Sequence, residues 1–452
     1  MIIIPFIVFL VTILSYLKKK DEWFLVGLLF FTTSGYLLVP ASAFVGKPID
    51  YISIITLFIC FIERRNNSLF FSTRKDPIAK VIICILIWHV FSFINTILNN
   101  IEYPLYALKV ERNNFIWLLY FYLRKIDTDS VKKSFKILLY ISVFDGIFYY
   151  LQLIGITGII NGGADELFEG GEVARYRNVP PFYSTFILLA ILSKSKGKLK
   201  YLIIVFFSGM LLMNQGRGTV LSLGIILITY SLLKNKAKNY ISLIIIGSIA
   251  YLVLAPMFEY RAKQARSGKS TYEQIYDVIS SGNIYNIDKE ESSFAFRIAM
   301  LAERIQYFNK NPQYYMTGVG SIHEKSPNCY HRFHFYIGTM NTQFYYGICQ
   351  IESGDITWVP LLIRYGIIGV IIYLMLLLCW MKKSFPSVKK SEDTLYCVFS
   401  IYSVSTIIFS FNYAALDNYA SIINILLYLG YIHSYLINNK KNGKNISRND
   451  IV

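Results

Sequence analysis

GDITWVPLLIRYGIIGVIIYLMLLLCWMKK, residues 354–383, decides how the whole chain is read. Asp355 closes a long polar stretch, the apolar run 356–381 follows at once, and Lys382 and Lys383 stop it. A run of that length crosses a bilayer as a helix, which takes about 20 apolar residues. Upstream, the polar stretch reaches back to Phe258 and holds Arg297, Arg304, His323, His331, His334, Cys329 and Cys349. Apolar sequence lies before it as well as after it. A polar insertion of this size between spanning segments is where a membrane protein meets something outside the lipid.

The composition agrees. Of 452 residues, 54% are hydrophobic and only 16% charged, where soluble chains carry about 25%. The net charge of +17 falls in short loops. There is no basic helix or aromatic-interleaved patch of the kind that binds nucleic acid. The start, Met1–Tyr16, lacks a basic leader and a small-residue cleavage site, so it reads as a retained helix. Thirteen apolar spans are expected, near 2–17, 23–40, 48–63, 77–97, 103–123, 136–156, 179–193, 199–213, 217–233, 239–257, 356–381, 394–411 and 416–438. The fold class is therefore all-α: a polytopic integral membrane protein of about 12–13 transmembrane helices, with one large, partly helical extracytoplasmic loop. The division is 1–257 (first ten helices), 258–355 (loop), 356–438 (C-terminal helices) and 439–452 (cytoplasmic tail).

Lysines and arginines crowd alternate loops, around 18–20, 64–75, 124–136, 194–200, 234–238 and 382–390, and the tail. Apart from the long loop, the opposite loops hold only Lys47, Arg175, Arg177 and Arg217. Positive loops stay inside. The N-terminus and residues 258–355 are therefore expected outside, and the C-terminus in the cytoplasm. Two spans carry charge: the fifth has Lys109, Glu111 and Arg112, which suits a cavity-lining or interfacial helix, and the sixth has Asp145. A buried acid is a site candidate or a partner for a nearby cation, here Lys109 or Arg112.

Within the loop, Phe294, Ile298, Leu301, Ile305 and Phe308 recur at helical spacing, with Arg297, Met300 and Arg304 on another face. This predicts a helix over 293–308 lying on the membrane surface. Cys329 and Cys349 are candidates for a disulfide in an oxidising compartment. Asp127-Thr-Asp129 matches a nucleotide-sugar pattern but sits in a basic inner loop and reads as chance. Arg217, between Gly216 and Gly218, and Arg175 and Arg177, ahead of Pro180 and Pro181, run against the positive-inside trend. Planar guanidinium groups at the outer face suit phosphate oxygens, or else lipid head groups.

Taken in order, these motifs resemble the O-antigen polymerase and O-antigen ligase superfamily. The carrying residues are Arg175-x-Arg177-Asn-x-Pro-Pro181, Gly216-Arg217-Gly218, Arg297 followed by Thr317-Gly-Val-Gly320, and Tyr365-Gly-Ile-Ile-Gly369. Ligases of this family carry a His-Asn pair 11 residues before the first glycine of the last motif; here Asp355 stands there, which favours a polymerase. The resemblance implies a GT-C-like architecture and a bacterial inner-membrane location. It implies a metal-independent glycosyl transfer from an undecaprenyl-diphosphate-linked oligosaccharide, with no cofactor and with a chain-length regulator as a further partner. On this reading Arg175, Arg177, Arg217 and Arg297 bind the diphosphate. Asp355 and Arg217 are catalytic, and His323 is the reserve catalytic residue. The rivals are a ligase transferring glycan to lipid A core, and a glycolipid transporter or flippase. The latter would show paired intramembrane charges and repeated halves, which the sequence lacks.

Overall fold

The computed structural model describes residues 3–152, 156, 178–194, 197–214, 217–234, 294–338, 347–352, 356–411 and 413–441. The apolar runs fold as helices: α1 (Ile3–Leu17), α2 (Asp21–Phe30), α3 (Pro48–Asn66), α4 (Pro77–Leu98), α5 (Pro104–Glu111), α6 (Tyr120–Leu123), α7 (Thr128–Leu151), α8 (Tyr183–Leu192), α9 (Lys198–Asn214) and α10 (Arg217–Lys234). The loop contributes α11 (Phe294–Lys310) and α12 (Pro327–Arg332), and the C-terminal part α13 (Trp358–Val388), α14 (Thr394–Phe409) and α15 (Tyr419–Lys441). Among the described residues, β pairing is confined to one bridge between Phe335 and Ile348. The expected span 239–257 and the boundary at 257/258 lie outside the described residues.

Local chemistry sets the helix starts. Pro48, Pro77 and Pro104 open α3, α4 and α5, where no amide hydrogen bond is forfeited. Asp127 caps α7 by accepting from the amides of Asp129 (2.7 Å) and Ser130 (2.8 Å). The Asp127-Thr-Asp129 pattern is thus a helix cap. Helices α4, α7, α13 and α15 are long and apolar enough to cross a membrane; α1, α8, α10 and α14 are apolar but shorter. Helix α4 packs along α13, α1 on α2, α8 on α9, and α14 against both α13 and α10. Large apolar side chains face outward, among them Phe61 (70% exposed), Ile87 (63%), Val205 (71%) and Leu378 (60%). An apolar exterior of this kind is one that lipid covers.

Two expected spans are interrupted. Residues 23–40 stop being helical after Phe30, and Ser34, Gly35, Tyr36 and Leu37 form a left-handed turn with φ of 52°, 67°, 54° and 66°. The buried Tyr36 hydroxyl there donates to the Val26 carbonyl. Residues 103–123 break into α5, a 3-10 turn (Asn114–Leu119) and α6, hinged where Asn114 donates to Glu111 (2.8 Å).

The basic loops meet at one end of the bundle, as the charge alternation requires. Asp76, buried there, accepts from Tyr120 (2.8 Å), Arg124 (3.1 Å) and Lys383 (2.9 Å), with His433 at 3.2 Å. Lys125 pairs with Glu63 (2.8 Å) and Lys132 with Asp393 (2.7 Å). At the other end Arg112 pairs with Asp50 (2.6 Å), and Lys109 lies over the Tyr106 ring. Neither cation reaches Asp145, so of the two readings open for it the partnership with Lys109 or Arg112 does not hold. Asp145 is fully buried on α7, and among the described residues neither of its carboxylate oxygens has a hydrogen-bond partner.

Helix α11 forms where the spacing predicts, but its buried line runs through Met300, Arg304 and Phe308, while Ile305 is 42% exposed. The reason is Arg304. Its guanidinium donates to the carbonyls of Ile337 (2.8 Å) and Gln350 (2.9 Å), pairs with Glu303 (2.5 Å) and stacks on Phe335. The helix is therefore pinned into its own loop as well as against α13. Cys329 and Cys349 are buried thiols not joined in a disulfide; Cys329 Sγ lies 3.4 Å from the Cys349 carbonyl oxygen.

Candidate functional site: a broken helix clasped by the loop

Helix α13 is broken at Gly366, whose φ of 63° and ψ of −167° only glycine adopts without strain. The break strips hydrogen bonds from a helix in an apolar setting, where each orphaned backbone group is expensive. The segment Tyr315–Gly320 fills the gap. Val319 and Gly320 donate to the carbonyls of Ile363 (2.8 Å) and Arg364 (3.0 Å), and Ile367 and Ile368 donate to those of Tyr315 (3.0 Å) and Met316 (3.2 Å). A Cβ on Gly318 would collide with the Arg364 backbone, and one on Gly366 with Met316 and Gly318. The two glycine motifs are thus the two halves of one joint.

A buried carboxylate secures the joint to α4 and α5. Glu111 accepts from Asn114 (2.8 Å), the Tyr365 hydroxyl (3.1 Å) and the Ser321 hydroxyl. His89 Nδ1 lies 3.0 Å away, off the line of a hydrogen bond, while His89 Nε2 is 2.8 Å from the Tyr373 hydroxyl. The Ser321 amide donates to Thr96 (2.7 Å). Glu111 is 3% exposed, so several donors to one carboxylate are what make its burial tolerable. Of the charges noted in the fifth span, Glu111 alone lines an interior; Lys109 is exposed and Arg112 half-buried.

Outward from the joint lies a cluster of titratable groups. Arg364, 2% exposed, donates to the Ile322 carbonyl (3.1 Å) and to Glu352 (2.6 Å), and its other Nη is 3.7 Å from Asp417. Next to it sits His323, whose ring is 5.5 Å from that of Tyr106. Burial pulls the His323 pKa down to about 4, against the pull of Glu352. The ring is therefore neutral at physiological pH. Its Nδ1 accepts from the Lys325 amide (3.1 Å), so Nε2 carries the proton and acts as a donor. Glu324 accepts from the amides of Ile351 (3.1 Å) and Glu352 (2.6 Å). Burial, then the Glu352 charge, raise its pKa to about 7. Glu102 fixes the segment from beneath, accepting from the amides of His323 (3.2 Å) and Tyr103 (2.9 Å), from Asn328 (3.3 Å) and from the Ser326 hydroxyl.

Of the residues singled out in sequence, His323 lies in this cluster. Arg297 is half-buried on the first turn of α11. Arg217 begins α10, and its side chain lies outside the described residues, as do Arg175, Arg177 and Asp355 altogether. Sequence reasoning passed over Arg364, Glu352, Glu324 and Asp417. A signal for Arg364 was present: it is an arginine within an apolar run, where a charge is expensive.

These features define an all-α, polytopic membrane protein whose non-membrane loop completes a discontinuous helix beside a buried charge cluster. Residues 202–374 match the family model described as O-Antigen ligase, a span that contains both halves of the joint. The match supports the O-antigen ligase and polymerase superfamily, and with it a membrane enzyme of the glycosyltransferase type. No curated protein matches the chain.

Proposed function

We propose that the protein is a polysaccharide polymerase that joins lipid-diphosphate-linked oligosaccharide repeat units at the outer face of the bacterial inner membrane. The observation that carries the reading is the joint itself. Two of the four motifs that carry the family resemblance meet there, and a ready-made cluster of acids, Arg364 and a neutral histidine lies against it. Asp355, in place of the ligase His-Asn pair, favours the polymerase over the ligase. In the proposed reaction the Asp355 carboxylate takes the proton of an acceptor sugar hydroxyl. The hydroxyl oxygen bonds to the anomeric carbon of the donor. The bond from that carbon to the diphosphate breaks, and its electron pair leaves with the diphosphate. Arg217, with Arg175, Arg177 and Arg297, binds the diphosphate and offsets the charge that develops on it. His323, a neutral donor at Nε2, serves better to orient an oxygen than to act as base. Arg364 holds Glu352 at the rim of the site.

The test uses purified full-length protein and a lipid-linked repeat unit in detergent. Lengthening of the lipid-linked glycan is expected, and Arg217→Ala should lower it by 10²-fold or more, on the scale of losing one oxyanion donor. Full activity in a normally folded Arg217→Ala protein sinks the diphosphate assignment. Transfer to lipid A core without lengthening would make the protein a ligase.

A further inference from the structure

A cavity of about 530 Å³ opens at the basic end of the bundle, far along the chain from the joint, between α7, α8, α9 and the start of α14. Its size lies within the roughly 300–1,000 Å³ of ligand pockets. The lining changes character with depth. On α7, Lys132, Lys136 and Leu139 follow one another at helical spacing, so one face turns from cationic to apolar toward the helix interior. On α9, Lys200 and Ile203 repeat that order, and Phe186 and Leu189 of α8 continue the apolar wall. Three ammonium groups face one carboxylate, Asp393, which is already engaged: it caps α14 at the Tyr396 amide (2.9 Å), accepts from Tyr431 (2.9 Å) and pairs with Lys132 (2.7 Å). Lys200 donates to the Ser193 carbonyl at the end of α8 (2.8 Å).

We propose that this cavity is a binding site for an anionic phospholipid of the leaflet facing the basic end, with the phosphate on Lys136 and Lys200 and an acyl chain along Leu139, Phe186, Leu189 and Ile203. The topology rule alone is met by lysines anywhere in these loops. It does not call for a cleft between four helices whose cationic rim gives way to an apolar wall, which is the profile of a phospholipid. The site is independent of the glycosyl-transfer reading, and its test reads lipid rather than activity.

The experiment is native mass spectrometry of the full chain released from bilayers of equal phosphatidylglycerol and phosphatidylcholine. Wild type should retain phosphatidylglycerol preferentially. Lys136→Gln with Lys200→Gln should weaken that retention by about 25-fold, at about fivefold per lysine near a membrane surface, and the matching Arg pair should preserve it. Should the Gln pair fail to fold, Leu139→Trp, which fills the cavity and keeps the lysines, should also lose the lipid. Equal retention of both lipids by wild type, or undiminished phosphatidylglycerol on the Gln pair or on Leu139→Trp, overturns the proposal. Inorganic phosphate stabilising the protein as strongly as phosphatidylglycerol also overturns it, in favour of a free-anion site.

Discussion

Glu324 and His323 are adjacent in sequence and titrate in opposite senses. Glu324 has a folded pKa of about 7 against an ordinary 4.5, so between those values the folded protein holds a proton that the unfolded chain has released. Its contribution to stability is therefore lost as pH rises from 4.5 toward 7. His323 has a folded pKa of about 4 against an ordinary 6.5, so between those values the unfolded chain holds the extra proton. Its contribution is gained as pH rises over that range. In the wild type the two slopes oppose each other between 4.5 and 6.5. Melting temperatures across this window should rise with pH in Glu324→Gln and fall in His323→Gln; parallel profiles for the two variants would refute the pairing. His323 was legible in sequence as a candidate, but its tautomer and its neutral state were not. They depend on the Lys325 amide and on burial that only the folded loop supplies. The burial of Arg304, placed off the apolar stripe in sequence, was not legible for a related reason. An arginine on an isolated helix belongs in water, and only the carbonyls of Ile337 and Gln350 make its burial sensible.

Among the elements, the long helices were legible because each is an apolar run with a basic loop at one end, as with α4, α7 and α15. Their interruptions were not. Gly366 looks in sequence like any small residue within a spanning helix, and its positive φ follows from a partner some fifty positions upstream. Gly366→Ala should therefore lower stability by about 1–3 kcal/mol for the strained backbone, and by more where Met316 and Gly318 must move aside. Gly224→Ala on α10 is the control, since a Cβ there meets nothing within 4 Å. Thermal unfolding in detergent should separate the two variants clearly. Equal melting temperatures would mean that the joint is not a fixed part of the fold. The left-handed turn at Ser34–Leu37 escaped sequence reasoning in the same way, because only Gly35 in that stretch advertises a positive φ.

At the scale of the molecule, the alternation of basic loops was the most dependable signal, and the contacts at the basic end bear out the grouping. What it could not convey is that one buried acid ties that end together. Asp76 joins the start of α4 to Arg124 after α6, Lys383 of α13 and His433 of α15. Asp76→Asn should cost about 3–5 kcal/mol, because it leaves buried cations uncompensated. Lys194→Ala, which breaks a pair exposed on both sides, should change stability by no more than about 1 kcal/mol. Denaturation of the two variants in the same detergent checks the contrast; a similar small effect for both would show that the Asp76 cluster is replaceable.

The joint at Gly366 also has a consequence for how the protein is made. Residues 315–320 leave the ribosome before α13 does, yet they supply the partners for its exposed carbonyls and amides. The part of α13 around Gly366 therefore enters the bilayer with unmet polar groups, and lipid cannot satisfy them. Its seating has to wait until the preceding loop has been delivered to the same side. Delivery of the loop to its partner helix thus becomes a checkpoint in biogenesis: a nascent chain whose loop is held back would carry a misplaced helix as well as an unfinished site.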